Sequence, residues 1–133
     1  MIEGYMSAVV PSDRCCFLTD QEMELLEKNK IVALVTPRKL LNMDSLTEIK
    51  EGYGRSVTVF DSKNMARANV AITEVYQTSF GFPDQKLVAL RGYEADTSLF
   101  HQDFKRFWDS HYPDLELGND TLIVVEIMQL LPY

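Results

Sequence analysis

Thr121-Leu122-Ile123-Val124-Val125-Glu126-Ile127-Met128-Gln129-Leu130-Leu131 is the most apolar stretch of the chain, and the rest is read outward from it. Its β-branched residues suit a pleated surface, and a continuous apolar run of this length takes an interior place in a sheet. Upstream, Arg55-Ser56-Val57-Thr58-Val59-Phe60-Asp61 and Ala68-Asn69-Val70-Ala71-Ile72-Thr73-Glu74-Val75-Tyr76 alternate with period two around the turn Ser62-Lys63-Asn64. That pattern predicts an antiparallel hairpin. Val57 and Val59 share one face of the first strand. In the second, Val70, Ile72 and Glu74 share one face, and Ala71, Thr73 and Val75 the other. Earlier still, Ile31-Val32-Ala33-Leu34-Val35-Thr36 is short, β-branched and ended by Pro37, so it reads as a further buried strand.

Helices separate these strands. Thr19-Asp20-Gln21-Glu22 is a capping box, in which the threonine hydroxyl and the glutamate satisfy each other's free amides. It predicts a helix over 20–28 with Met23, Leu26 and Leu25 inward. Ser45-Leu46-Thr47-Glu48 repeats the signature before Gly52 and Gly54. Pro83-Asp84 opens a short helix stopped by Gly92, and another begins at Thr97 or Ser98. Phe100, Phe104, Phe107 and Trp108 stand at i, i+4, i+7 and i+8, the spacing of a helix's core face. His101 and His111 fall off that stripe and read as surface residues. Strands and helices do not alternate as in a doubly wound α/β chain, so the class is α+β, expected as a small mixed β-barrel with flanking short helices.

The 133 residues, 46% of them hydrophobic, suit one domain over 1–133. The net charge of −7 argues against non-specific duplex DNA binding, which rests on many cations releasing counterions. Met1-Ile2-Glu3-Gly4-Tyr5-Met6 lacks a basic region leading into an apolar core, and no stretch approaches the roughly 20 apolar residues that span a bilayer. A cytoplasmic protein with no membrane partner is the expectation. The only cysteines, Cys15 and Cys16, are adjacent, too close for an unstrained bridge and too few for a zinc site. They read as small apolar residues entering a strand. Phosphate-loop, serine-elbow and H-E-x-x-H strings are absent, and no cofactor or metal is expected.

The second half, read as a whole, resembles ASCH domains, small relatives of the PUA fold. The resemblance rests on Ile72-Thr73-Glu74-Val75, Ala89-Leu90-Arg91-Gly92-Tyr93, the helix from Phe104 to Tyr112-Pro113, and Val124-Val125-Glu126-Ile127, and it covers residues 55–133. It implies a PUA-like barrel that binds RNA or a modified nucleoside, or a small amidohydrolase acting on acetylated cytidine, or a ribonuclease. Of the family's G-x-K-x-x-T-x-R signature, Lys30 takes the lysine position, whereas Ala33 and Val35 stand at the threonine and arginine positions, with Thr36 and Arg38 beyond. The enzymatic reading implies Lys30, Thr36 and Glu94 as catalytic residues. The binding reading takes Lys30, Arg38, Lys39, Arg55 and Arg67 as the nucleotide-binding rim, five cations that are otherwise solvated surface.

A third reading, a protein-interaction or inhibitory module, draws on Glu22, Glu24, Glu27, Asp114, Glu116 and Asp120 as a face for a basic protein partner. Convergence of Lys30, Thr36, Arg38 and Glu94 into one cleft would favour the nucleoside readings, and dispersal the interaction reading.

Overall fold

A computed structural model describes residue 9 and residues 11–132. The expectation drawn from residues 1–6 lies outside the described residues. Five strands, β1 (Cys15–Phe17), β2 (Ile31–Pro37), β3 (Ser56–Phe60), β4 (Ala66–Ser79) and β5 (Leu122–Leu130), form one sheet in the order β1-β3-β4-β5-β2. Only β1 runs parallel to its neighbour. β5 is interior, between β4 and β2, as its apolar run predicts. Among the described residues, four α-helices decorate the sheet: α1 (Asp20–Asn29), α2 (Met43–Glu51), α3 (Gln85–Leu90) and α4 (Thr97–His111).

The two faces of the sheet carry separate cores. Alternation along β5 sends Ile123, Val125 and Ile127 to one face, where Leu87 and Val88 of α3 and Phe100, Phe104 and Trp108 of α4 pack on them. Met128 goes to the other face with Val32, Leu34, Val57, Val59, Val70 and Ile72, covered by Leu18 and by Met23 and Leu26 of α1. These will be called the α4 face and the α1 face.

The sheet is open, which corrects the expected barrel. Closure would require β1 and β2, the two edges, to pair. Instead β1 is only three residues long, and α1, which connects the two edges, buries Met23 and Leu26 against the α1 face. On the β2 edge the Arg91 guanidinium donates to the Ala33 carbonyl at 2.8 Å. That edge group is therefore satisfied by a side chain rather than a strand.

Three local expectations shift. The capping residue of α2 is Asn42, whose Oδ1 accepts from Ser45 N at 2.7 Å, so the helix starts before the Ser45 pattern. Phe107 is 45% exposed and stacks on His111, because i, i+4 and i+8 form the stripe that meets the sheet. His101 is half-buried rather than a surface residue, its Nε2 bonded to the Phe80 carbonyl at 2.8 Å.

The largest shift is a β-bulge between Ile72 and Glu74. The extra residue, Thr73, reverses the alternation, so Val75 joins Val70 and Ile72 on the α1 face. Glu74 moves to the α4 face and pairs with Lys86 of α3. No helix among the described residues is long and apolar enough to cross a membrane.

Candidate functional site

Cross-strand register lays the α1 face out in rows. Val32, Met128 and Ile72 form an apolar row; Leu34, Glu126 and Val75 form the next; Thr36, Val124 and Gln77 form the third. The bulge is what puts Val75 beside Glu126. One ionisable side chain thus stands in the middle of the face, on the interior strand, between two aliphatic neighbours. It is the floor of a cleft of about 1000 Å³ between the sheet, α2 and the strand edge at Arg14–Cys16.

Glu126 is half-buried, and among the described residues no side chain or amide bonds to its carboxylate. Burial without a compensating partner disfavours the charged form. Its pKa is accordingly pushed up to about 7. Cys16 faces the same space. Burial first, then the Glu126 charge, raises its thiol to about 12, which leaves it protonated and inert.

The rim is built by α2 and the segments it leans on. Arg14 Nη1 donates to Glu48 O at 3.2 Å and Arg55 Nε to Glu51 O at 3.1 Å, so two guanidiniums cap the carbonyl end of α2, where a cation meets the negative helix terminus. Only Leu46 of that helix is buried. The cleft is acidic: Asp13, Asp44, Glu48, Glu51 and Glu126 line it against Arg14 and Arg55.

Of the residues expected from sequence, Arg55 alone lines this cleft. Lys30 takes the left-handed position that ends α1, at φ 67°, and its Nζ donates to Glu27 O at 3.0 Å. Thr36 lies on the same face as Glu126 in the adjoining row, but six positions of β2 separate it from Lys30, about 20 Å at 3.3 Å per residue. Arg38 is turned onto Leu41 O at 2.9 Å, and Lys39 is exposed beside it. Arg67 is engaged by Glu27 and Asp61, and Glu94 sits exposed beyond Gly92 at φ 56°. The rim set and the lysine–threonine–glutamate set are therefore dispersed.

Sequence reasoning passed over Glu126 as a site residue although it quoted the strand that carries it. The signal was present: a lone carboxylate inside the most apolar run of the chain costs free energy unless something uses it.

No family model matches the sequence, and no curated protein matches it. Among solved structures, the fold is similar to that of a DUF984-family protein from Enterococcus faecalis, at TM-score 0.65 and 14% identity, over 95% of this chain and 79% of that one. It is also similar to an ASCH domain from Lactobacillus crispatus, at TM-score 0.60 and 15% identity, over 86% of this chain and 79% of that one. The chain has an ASCH-like fold, which agrees with the resemblance read from residues 55–133 and extends it over the first half.

Proposed function

We propose that this ASCH-like module binds a small nucleoside-type ligand in the α1-face cleft, with Glu126 as the group that reads it. The observation that carries the proposal is the half-buried Glu126 carboxyl, without a hydrogen-bond partner among the described residues, on an otherwise aliphatic floor. A carboxyl titrating near neutrality accepts a hydrogen bond from a ring amine and, when protonated, donates one to a ring nitrogen, which suits the edge of a nucleobase. The acidic lining speaks for an uncharged nucleoside over an RNA strand, whose phosphates would meet five carboxylates against two guanidiniums.

Binding is favoured over hydrolysis because the two nucleophiles best placed on this face are not set up for attack. Burial holds the Cys16 thiol protonated, and Thr36 stands outside the cleft lining with no hydrogen bond to a base among the described residues. The dispersal of Lys30, Thr36, Arg38 and Glu94 counts for the acidic-interface reading and against the expected nucleoside set, so the nucleoside reading rests on Glu126 alone. The acidic face is itself partly spent, since Glu22 and Glu27, two of its six residues, are already paired with Arg91 and Arg67.

Titration calorimetry with cytidine, acetylated cytidine and uridine at pH 7 tests the reading. At least one of the cytidines should bind, and Glu126→Gln should weaken it tenfold or more while the melting transition persists. Unchanged affinity in Glu126→Gln, or tight salt-dependent binding of a single-stranded RNA by the wild type, would sink it.

A further inference from the structure

A second hollow of about 440 Å³ lies on the other flank of α2, and its chemistry is unlike that of the acidic cleft. Its floor is aliphatic: Val124 and Val75 from the third and second rows of the α1 face, and Leu46, the buried residue of α2. Tyr53, 62% exposed just past the end of α2, stands at the wall. Two exposed polar side chains complete the lining, open to solvent and to a ligand. Neither the Lys50 ammonium nor the Gln77 amide has a partner among the described residues. Tyr76 borders the hollow from the strand, but its ring packs on the α4 face, where its hydroxyl donates to Asp84 Oδ1 at 2.8 Å.

Among the described residues, Lys50 is the one charged residue in this lining. Leu46, Lys50 and Tyr53 recur at i, i+4 and i+7, so one stripe of the helix and its end presents an aliphatic, a cationic and an aromatic group to the same space. An aliphatic floor, an aromatic wall and two convergent polar groups are the usual make-up of a small-molecule pocket. A ligand matching all four is flat and apolar in its body and anionic at one end. Its ring would lie between Tyr53 and the valines, and its anion would accept from Lys50 Nζ and the Gln77 amide.

We infer that this hollow is a separate ligand site, specific for a small aromatic carboxylate. It does not depend on what the acidic cleft binds, because the two sites lie on different flanks of α2 and their linings share no residue. A bicyclic acid is of a size for the volume.

The test is a titration of the full chain with 2-naphthoate, followed by ligand-observed NMR and calorimetry. Naphthalene-2-carboxamide serves as the uncharged comparison, and Lys50→Met, Tyr53→Ala and Glu126→Gln as variants, each first shown to melt cooperatively. Naphthoate should bind the wild type and Glu126→Gln alike, and at least tenfold more weakly to Lys50→Met and to Tyr53→Ala. The carboxamide should bind the wild type at least tenfold more weakly than the acid. Three results would overturn the inference: no naphthoate binding up to millimolar concentration, binding indifferent to both Lys50→Met and Tyr53→Ala, or a loss in Glu126→Gln as large as in Lys50→Met.

Discussion

Glu126 ties stability to pH in a direction opposite to most surface carboxylates. Its pKa rises from the ordinary 4.5 to about 7 in the folded chain, because burial disfavours the anion. Between those values the folded state holds more proton than the unfolded one, so stability falls as pH rises through the window. The penalty is complete above about pH 7 and absent below about 4.5. Glu126→Gln removes it: chemical denaturation at pH 8 should show the variant more stable by about 1 to 3 kcal/mol, at about 1.4 kcal/mol per pKa unit and allowing for partial exposure. The gain should vanish near pH 4, and a constant difference across pH would refute the assignment. Arg91 shows the converse arrangement. It is buried, yet Nη1 donates both to Glu22 Oε2 at 2.7 Å and to Ala33 O, over the Phe104 ring at 4.9 Å. Burial there is compensated at Nη1, though Nε is buried with no partner, whereas the Glu126 carboxylate has none among the described residues.

At the scale of the element, what sequence made legible was what depends on neighbours along the chain. The Thr19 capping box is formed as read, with Thr19 Oγ1 accepting from Glu22 N at 3.2 Å, and Met23 and Leu26 are the buried residues of α1. The hairpin of β3 and β4 pairs antiparallel, and its turn is fastened by Asp61 Oδ1 accepting from Lys63 N and Met65 N. What escaped was set by partners distant in sequence. The bulge at Thr73 exists only in the pairing of β4 with β5, and nothing in the string Ile72-Thr73-Glu74-Val75 marks it. For the same reason the site was half hidden: Glu126 is plain as an oddity in its strand, but its meeting with α2, Cys16 and Val75 needs the fold.

The aromatic stripe of α4 offers a test at this scale. Trp108→Ala should cost roughly 3 to 5 kcal/mol, the usual figure for removing a buried large aromatic, whereas Phe107→Ala should cost under about 1 kcal/mol. Urea melts that place the two variants together would show the core face of α4 to be misassigned.

For the molecule as a whole, the open sheet has two consequences. It leaves the α1 face only partly roofed, by α1 over one part and α2 over another, and that is where both hollows lie. It also gives the chain an unusual order of assembly. β5 supplies side chains to both cores and pairs with strands on either side, yet it is the last strand described, and in its pairing with β2 Ile31 meets Gln129, almost a hundred residues on. Neither core can close before residues 122–130 are in place. A chain emerging from the ribosome would therefore hold β1 to β4 in suspense, with apolar strands exposed, until that segment clears the exit tunnel. Folding should be all-or-none and late, and slow for a chain of this size, because loop closure must precede the contacts that reward it. Ribosome-stalled chains ending at residue 120 should stay open to protease at every point along their length. Those extended past residue 130 by a linker long enough to span the tunnel should become resistant in a single step, and stepwise protection of β3 and β4 before that point would show that the hairpin folds without its keystone.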